Sequence, residues 1–159
     1  MAPPPPAPTP PPPPVYPLPI GSQRYHTGTL AKEATNPTIY FLMDNDGVKI
    51  PFANGKAFTG LGYSFADVQV LDLSAYRSAQ SYFIDQPAIA HPWGSLTVWK
   101  DGTVYYMHPD GAIGVSSMEV LEENGLASVP IVPMNRADEL EWDRNPTLPP
   151  LQINDSRLL

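Results

Sequence analysis

Asp44-Asn45-Asp46-Gly47 sets three oxygen-bearing side chains in a row, the composition of part of a calcium loop. An EF-hand loop would also need an oxygen ligand at Leu42 and a bidentate Glu further on, and Leu42 supplies none. The four residues suit a hairpin turn better, since Asp and Asn tolerate turn conformations and Gly supplies a positive φ. His108-Pro109-Asp110 matches the tripeptide that J-domain cochaperones carry between two helices, yet here it separates TVYYM from AIGVS, both of strand composition. His26, His91 and His108 are scattered, without metal-ligand spacing such as His-x-x-x-His, and read as surface or turn residues. Ser, His and Asp occur without a Gly-x-Ser-x-Gly elbow, and no Gly-rich phosphate loop follows a strand. Glu119, Glu122 and Glu123 have the spacing of a solvated helix face. No catalytic residue, metal or cofactor is assigned, and the chain is expected to be non-enzymatic.

The aromatic residues suggest more. Trp93, Trp99, Tyr105 and Tyr106 fall within fourteen residues. Strand alternation sends Tyr105 and Tyr106 to opposite faces of a sheet, so one is expected in the core and the other exposed or covered by a partner. An exposed Trp or Tyr could stack on a sugar ring or a proline, because both uses need a rigid apolar face with a polar edge. Core packing is the plainer use of the same rings.

The elements that position these residues centre on Ser95 to Ser116, where three β-prone runs are separated by two Asp-Gly turns. This reads as a three-stranded meander. A weaker copy lies upstream: Thr27 to Lys32, Thr38 to Met43 and Val48 to Phe52, with Asp44 to Gly47 as the turn. Each copy is followed by a short helix with a cap and a glycine stop, Asn54 with Gly62 and Ser117 with Gly125. Alternation then resumes over Tyr63 to Leu73, with Val68, Val70 and Leu73 as core positions, and over Leu126 to Val132. The order of elements pairs Gly47 with Gly111, Phe58 with Leu121, Gly62 with Gly125 and Val68 with Val129. A duplicated unit is expected, burying its core by stacking one copy on the other. The connector between them is given a brief strand at Ser81 to Ile84, and Arg136 to Trp142 a helical turn.

The 159 residues suffice for one ordinary domain, and the formal charge of -7 with nine Lys and Arg argues against a phosphate-tracking surface, so nucleic acid is not expected as a partner. There is no cysteine, which excludes disulfides and thiolate metal sites. No run approaches the roughly twenty apolar residues that span a bilayer, so membrane insertion is not expected; the first residues lack signal-peptide character, so the chain is either used without Sec export or is a processed or truncated piece.

Twelve of the first nineteen residues are proline, which fixes φ and removes amide donors. Pro3 to Pro14 would reach on the order of 37 Å as polyproline II. The segment is either a stiff spacer or a docking ligand for an aromatic groove on a neighbouring subunit. Its candidate contact residues are Pro3, Pro6, Pro10, Pro14 and Tyr16.

Thr38 to Tyr76, with TIYFLMDNDGVKIPF and KAFTGLGYSFADVQVLDLSAY, resembles a short repeat of surface-exposed or secreted bacterial proteins. That repeat has a VYY-type strand, a DGK-type turn, a short helix ending in Gly-Tyr and a valine-rich closing strand. The second copy departs from it at Ala112 and Leu126. The resemblance implies a β-rich surface module rather than an activity.

The fold class expected is mainly β with minor α: two related antiparallel β-meander units, each with one short helix, flanked by extended proline-rich arms. The divisions are an arm at 1–24, a first unit at 25–76, a connector at 77–93, a second unit at 94–140 and an extended tail at 141–159. The function expected is structural, an assembly protein of an extracellular filament, cell surface or virion whose termini contact neighbouring copies or other structural subunits. The alternative is a carbohydrate-binding or adhesion module using Trp93, Trp99, Tyr105 or Tyr106.

Overall fold

A computed structural model describes residues 3–5, 24–144 and 148–159. The chain is mainly β, built as two mixed sheets with few short helices. The first sheet begins as a meander of β1 (Leu30–Lys32), β2 (Tyr40–Met43) and β3 (Val48–Pro51), in which Leu30 pairs with Phe41 and Tyr40 with Pro51. The Asp44 to Gly47 stretch closes the β2–β3 hairpin, with Gly47 N–H donating to the Asp44 carbonyl at 3.1 Å and Gly47 at φ 62. All four residues of β2 are buried because the strand is central and both faces are covered. Phe41 and Met43 enter one apolar cluster, while Tyr40 and Leu42 enter another with Leu73 and Tyr76.

Helix α1 (Gly55–Gly60) follows β3, and the Asn54 side chain accepts from the Ala57 N–H as its cap. It drops Phe58, fully buried, against Phe52 and Tyr63. The chain then returns as β4 (Gln69–Val70), parallel to β1. Only these two residues of the Tyr63 to Leu73 stretch are strand. Leu73 is fully buried as expected, whereas Val70 is 57% exposed, because β4 is an edge strand and its outward residue has no layer over it. β5 (Arg77–Ser78) lies parallel to β3 at the other edge, giving the order β4-β1-β2-β3-β5. The stretch from Ser81 to Ile84 is not a strand, although Ile84 makes one parallel bridge with Phe52.

The Ser95 to Ser116 meander forms as β6 (Leu96–Val98), β7 (Val104–His108) and β8 (Gly111–Val115). Helix α2 (Met118–Glu123) follows, capped by Ser117, and buries Leu121. β9 (Ile131–Pro133) then runs parallel to β6, so the second sheet has the order β8-β7-β6-β9. Helix α3 (Arg136–Arg144) closes the elements, crossing the division expected at residue 140. The sheets touch through their cores, since Val132 of β9 packs into the cluster of the first sheet. Gly28 and Gly94 meet at this junction: a Cβ on Gly28 would lie 2.8 Å from the Gly94 carbonyl oxygen, and one on Gly94 would lie 2.2 Å from Thr27 Cγ2.

Residues 148–159, read from sequence as part of an extended tail, run along the second sheet without a helix or regular strand. Leu148 and Leu151 donate their N–H groups to the Ala112 and Gly114 carbonyls of β8 at 3.1 and 2.9 Å, and Leu151 is buried. Arg157 bonds the Pro149 and Pro150 carbonyls and Asp155, and Leu159 N–H donates to the Tyr106 hydroxyl at 2.9 Å. Every residue of the apolar clusters falls between Tyr25 and Leu159, so the proline-rich segment supplies none of the described core. Among the described residues no helix is long and apolar enough to cross a membrane.

Candidate functional site

The most concentrated polar chemistry lies where the connector meets α3. Asn135 and Asp138 cap that helix reciprocally: Asp138 N–H donates to Asn135 Oδ1 at 2.9 Å and Asn135 N–H to Asp138 Oδ2 at 3.0 Å. Asp138 also receives the His91 backbone N–H at 2.7 Å, and its Oδ2 lies 2.6 Å from His91 Nδ1. Both side chains are fully buried. The other ring nitrogen, Nε2, lies 2.6 Å from the carbonyl of Leu61, the residue that ends α1. Both ring nitrogens therefore face oxygen acceptors, a carboxylate on one side and a backbone carbonyl on the other. Tyr63 packs edge-on against the imidazole, with its hydroxyl 3.3 Å from Ser95 Oγ, and burial pushes its phenol well above the usual tyrosine range.

This constellation shares residue types with a nucleophile–base–acid relay but not its geometry. Ser95 bonds Tyr63 rather than His91, and both imidazole nitrogens are engaged by acceptors inside the protein. A general base must reach the proton it removes, and this ring has no exposed edge. The arrangement works as a clamp, tying the end of α1, the connector and the start of α3 to one imidazole. Asn135 Nδ2, donating to the Ile89 carbonyl at 2.8 Å, adds a second tie.

Outside the clamp lies a groove of about 560 Å³, within the size range of ligand sites. Met43, Val48 and Ile50 of the β2–β3 hairpin and Ala79 form apolar wall, Tyr82 and Trp93 line it with aromatic rings, and Asp46 and Glu141 add carboxylates. His91 lies beneath it. Trp93 is 56% exposed and Tyr82 49% exposed, and Phe83 beside Tyr82 is 51% exposed. Clamping His91 fixes Pro92 and Trp93 directly after it, so the buried pair determines where the exposed indole stands.

The other aromatic candidates are engaged internally. Trp99 is half-buried, stacks edge-on against Trp142 at 5.3 Å and donates its indole N–H to Glu139 at 3.1 Å. That bond, followed by Arg136, holds the Glu139 carboxyl below the usual range. Tyr106 is in the core as one of the alternating pair must be. Tyr105, on the opposite face, is also buried, since Trp142 of α3 covers it at 4.8 Å. The cover thus comes from the same chain. Pro3 is exposed, while Pro6, Pro10, Pro14 and Tyr16 lie outside the described residues.

The Asp44 to Gly47 turn directs its carboxylate to a cation of its own chain. Arg24 Nε donates to Asp44 Oδ1 at 2.8 Å, its guanidinium also bonds the Asp44 carbonyl, and it lies 5.1 Å from the Tyr76 ring centroid. His108-Pro109-Asp110 forms the β7–β8 hairpin turn, with Asp110 N–H donating to His108 Nδ1 at 3.1 Å. No group of three acidic or histidine side chains is placed to share a metal ion among the described residues.

His91, read from sequence as a surface or turn residue, is instead fully buried between Asp138 and the Leu61 carbonyl, and Asn135, Asp138 and Tyr82 escaped the sequence reading. Asn135-x-x-Asp138 ahead of Leu140 carries a capping pattern readable from spacing alone. Tyr82 carries no such signal, because its place at the groove depends on how the connector crosses the first sheet. Comparisons with family models, curated proteins and solved structures return no match.

Proposed function

We propose that this chain is a non-enzymatic structural protein that assembles through its proline-rich N-terminal arm on an extracellular filament, a cell surface or a virion. The observation carrying this reading is the exposed aromatic groove beside the point where the arm leaves the described body. Arg24 is pinned to the β2–β3 turn, and that hairpin forms one wall of the groove. Residues 148–159 bond to their own sheet, so the assembling element is assigned to the N-terminal arm alone.

The body fits a duplicated unit. A meander, a capped six-residue helix and a strand returning parallel to the first strand occur twice in the same order. The caps are Asn54 and Ser117, and Gly62 and Gly125 follow the helices with positive φ.

Trp93 gives the glycan-binding alternative its one specific support, an indole face open to a sugar ring. The test is mass in solution by light scattering, with electron microscopy, for the full chain beside one lacking residues 1–20. Assembly is expected for the full chain and a folded monomer for the truncation. Two monomers would overturn the assembly reading, and glycan retention abolished by Trp93→Ala would then favour the alternative.

A further inference from the structure

We infer that the groove between Tyr82 and Trp93 is the receiving site for the proline-rich arm of a second copy of this chain. The inference rests on the assembly reading and names the surface that reading lacks. Polyproline segments dock on aromatic-lined grooves because the ligand is stiff before binding and its ring faces stack on flat side chains. The groove presents two exposed aromatic rings over an apolar wall of Val48, Ile50 and Ala79. The arm matches it: residues 1–23 contain no charged side chain, and twelve of the first nineteen are proline. A ligand without charges brings no ion of its own onto the apolar wall.

The spacing favours a neighbour's arm over the chain's own. The groove adjoins the root of its own arm, because Asp46 lines it and Arg24 is held at the same turn. The run Pro10 to Pro14 ends ten residues before Arg24, and ten extended residues span on the order of 31 Å. That is about twice the radius of gyration expected for a body of this size. An extended connection of that length would carry the proline run past the adjoining groove and within reach of the same groove on another copy.

The test uses a fluorescein-labelled peptide of residues 3–20 and the chain lacking residues 1–20, whose apolar clusters are all retained. Fluorescence polarisation should show saturable binding, weakened about tenfold or more by Trp93→Ala and by Tyr82→Ala, as expected for a central aromatic contact. Met118→Ala, exposed on α2 and outside the groove, should leave binding unchanged. Absence of binding, or equal binding to the Trp93 and Tyr82 variants, overturns the groove assignment. Light scattering of the full-length chain separates the two readings. Assembly that persists in full-length Trp93→Ala overturns the groove while sparing arm-driven assembly. Peptide binding at the groove with a monomeric full-length chain overturns the neighbour's arm as occupant together with the assembly reading.

Discussion

Replacing Asp138 by Ala should cost this protein more stability than its single missing carboxylate suggests. The carboxylate accepts from two backbone N–H groups, those of His91 and Asn135, and faces the His91 imidazole at 2.6 Å. Truncation leaves all three without a partner in a site closed to water. Removing one side of a buried, multiply hydrogen-bonded carboxylate site typically costs about 3–5 kcal/mol, because the remaining polar groups keep their desolvation penalty. Taking about 4 kcal/mol and a urea dependence of about 2 kcal/mol/M, the unfolding midpoint should fall by about 2 M with the slope unchanged. Asp138→Asn keeps one accepting oxygen and should lose roughly half as much. The double variant His91→Leu, Asp138→Leu should recover part of the loss, since it leaves no unpaired charge inside. Urea unfolding followed by tryptophan emission measures all three. A loss below about 1 kcal/mol for Asp138→Ala would refute the clamp, because that is the size of one ordinary hydrogen bond.

Gly94→Ala should destabilise by about 2–5 kcal/mol, combining a left-handed φ of 91 with a Cβ placed 2.2 Å from Thr27 Cγ2. Thr27 cannot easily yield, since its hydroxyl accepts from Asp44 N–H at 2.7 Å; an unfolding midpoint equal to wild type would show that the junction is looser than described. Asp155 is held well below the usual carboxylate range, chiefly by the Arg157 guanidinium and also by the N–H groups of Gln152 and Arg157. Its folded value lies below the unfolded value of about 3.9, so its contribution is complete above that pH and is lost as pH falls through the folded value. Urea midpoints from pH 7 to pH 3 should therefore fall more steeply for wild type than for Asp155→Asn, and parallel curves would refute the contribution.

Local signals carried the strands and helices. Asp101-Gly102, Asp110-Gly111 and Asp44-Asn45-Asp46-Gly47 marked three hairpins, and Asn54, Ser117, Gly62 and Gly125 bounded the first two helices, because turns and caps are decided by a few neighbouring residues. What escaped depends on residues far apart. Val70 looked like core by alternation, but exposure at a sheet edge is set by what lies over it. One of Tyr105 and Tyr106 was expected exposed or under a partner, but Trp142, 37 positions later, covers Tyr105 from within the same chain. His91 and Asp138 stand 47 positions apart, and neither carries a local signal that they meet. The groove inherits this dependence, since Trp93 is positioned by that long-range pair and Tyr82 by the path of the connector.

The short outer strands also decide how copies of this protein cannot meet. A sheet margin with several unpaired backbone groups is a template for another chain, and long flat margins lead to aggregation. Here β4 and β5 are two residues each, β9 is flanked by Pro130 and ends in Pro133, and β8 is occupied on its outer side by Leu148 and Leu151. Little margin remains for a foreign strand to extend. A protein so blunted can be present at high local concentration without fusing into continuous sheet, which leaves association to contacts between side chains, where a single substitution can adjust it.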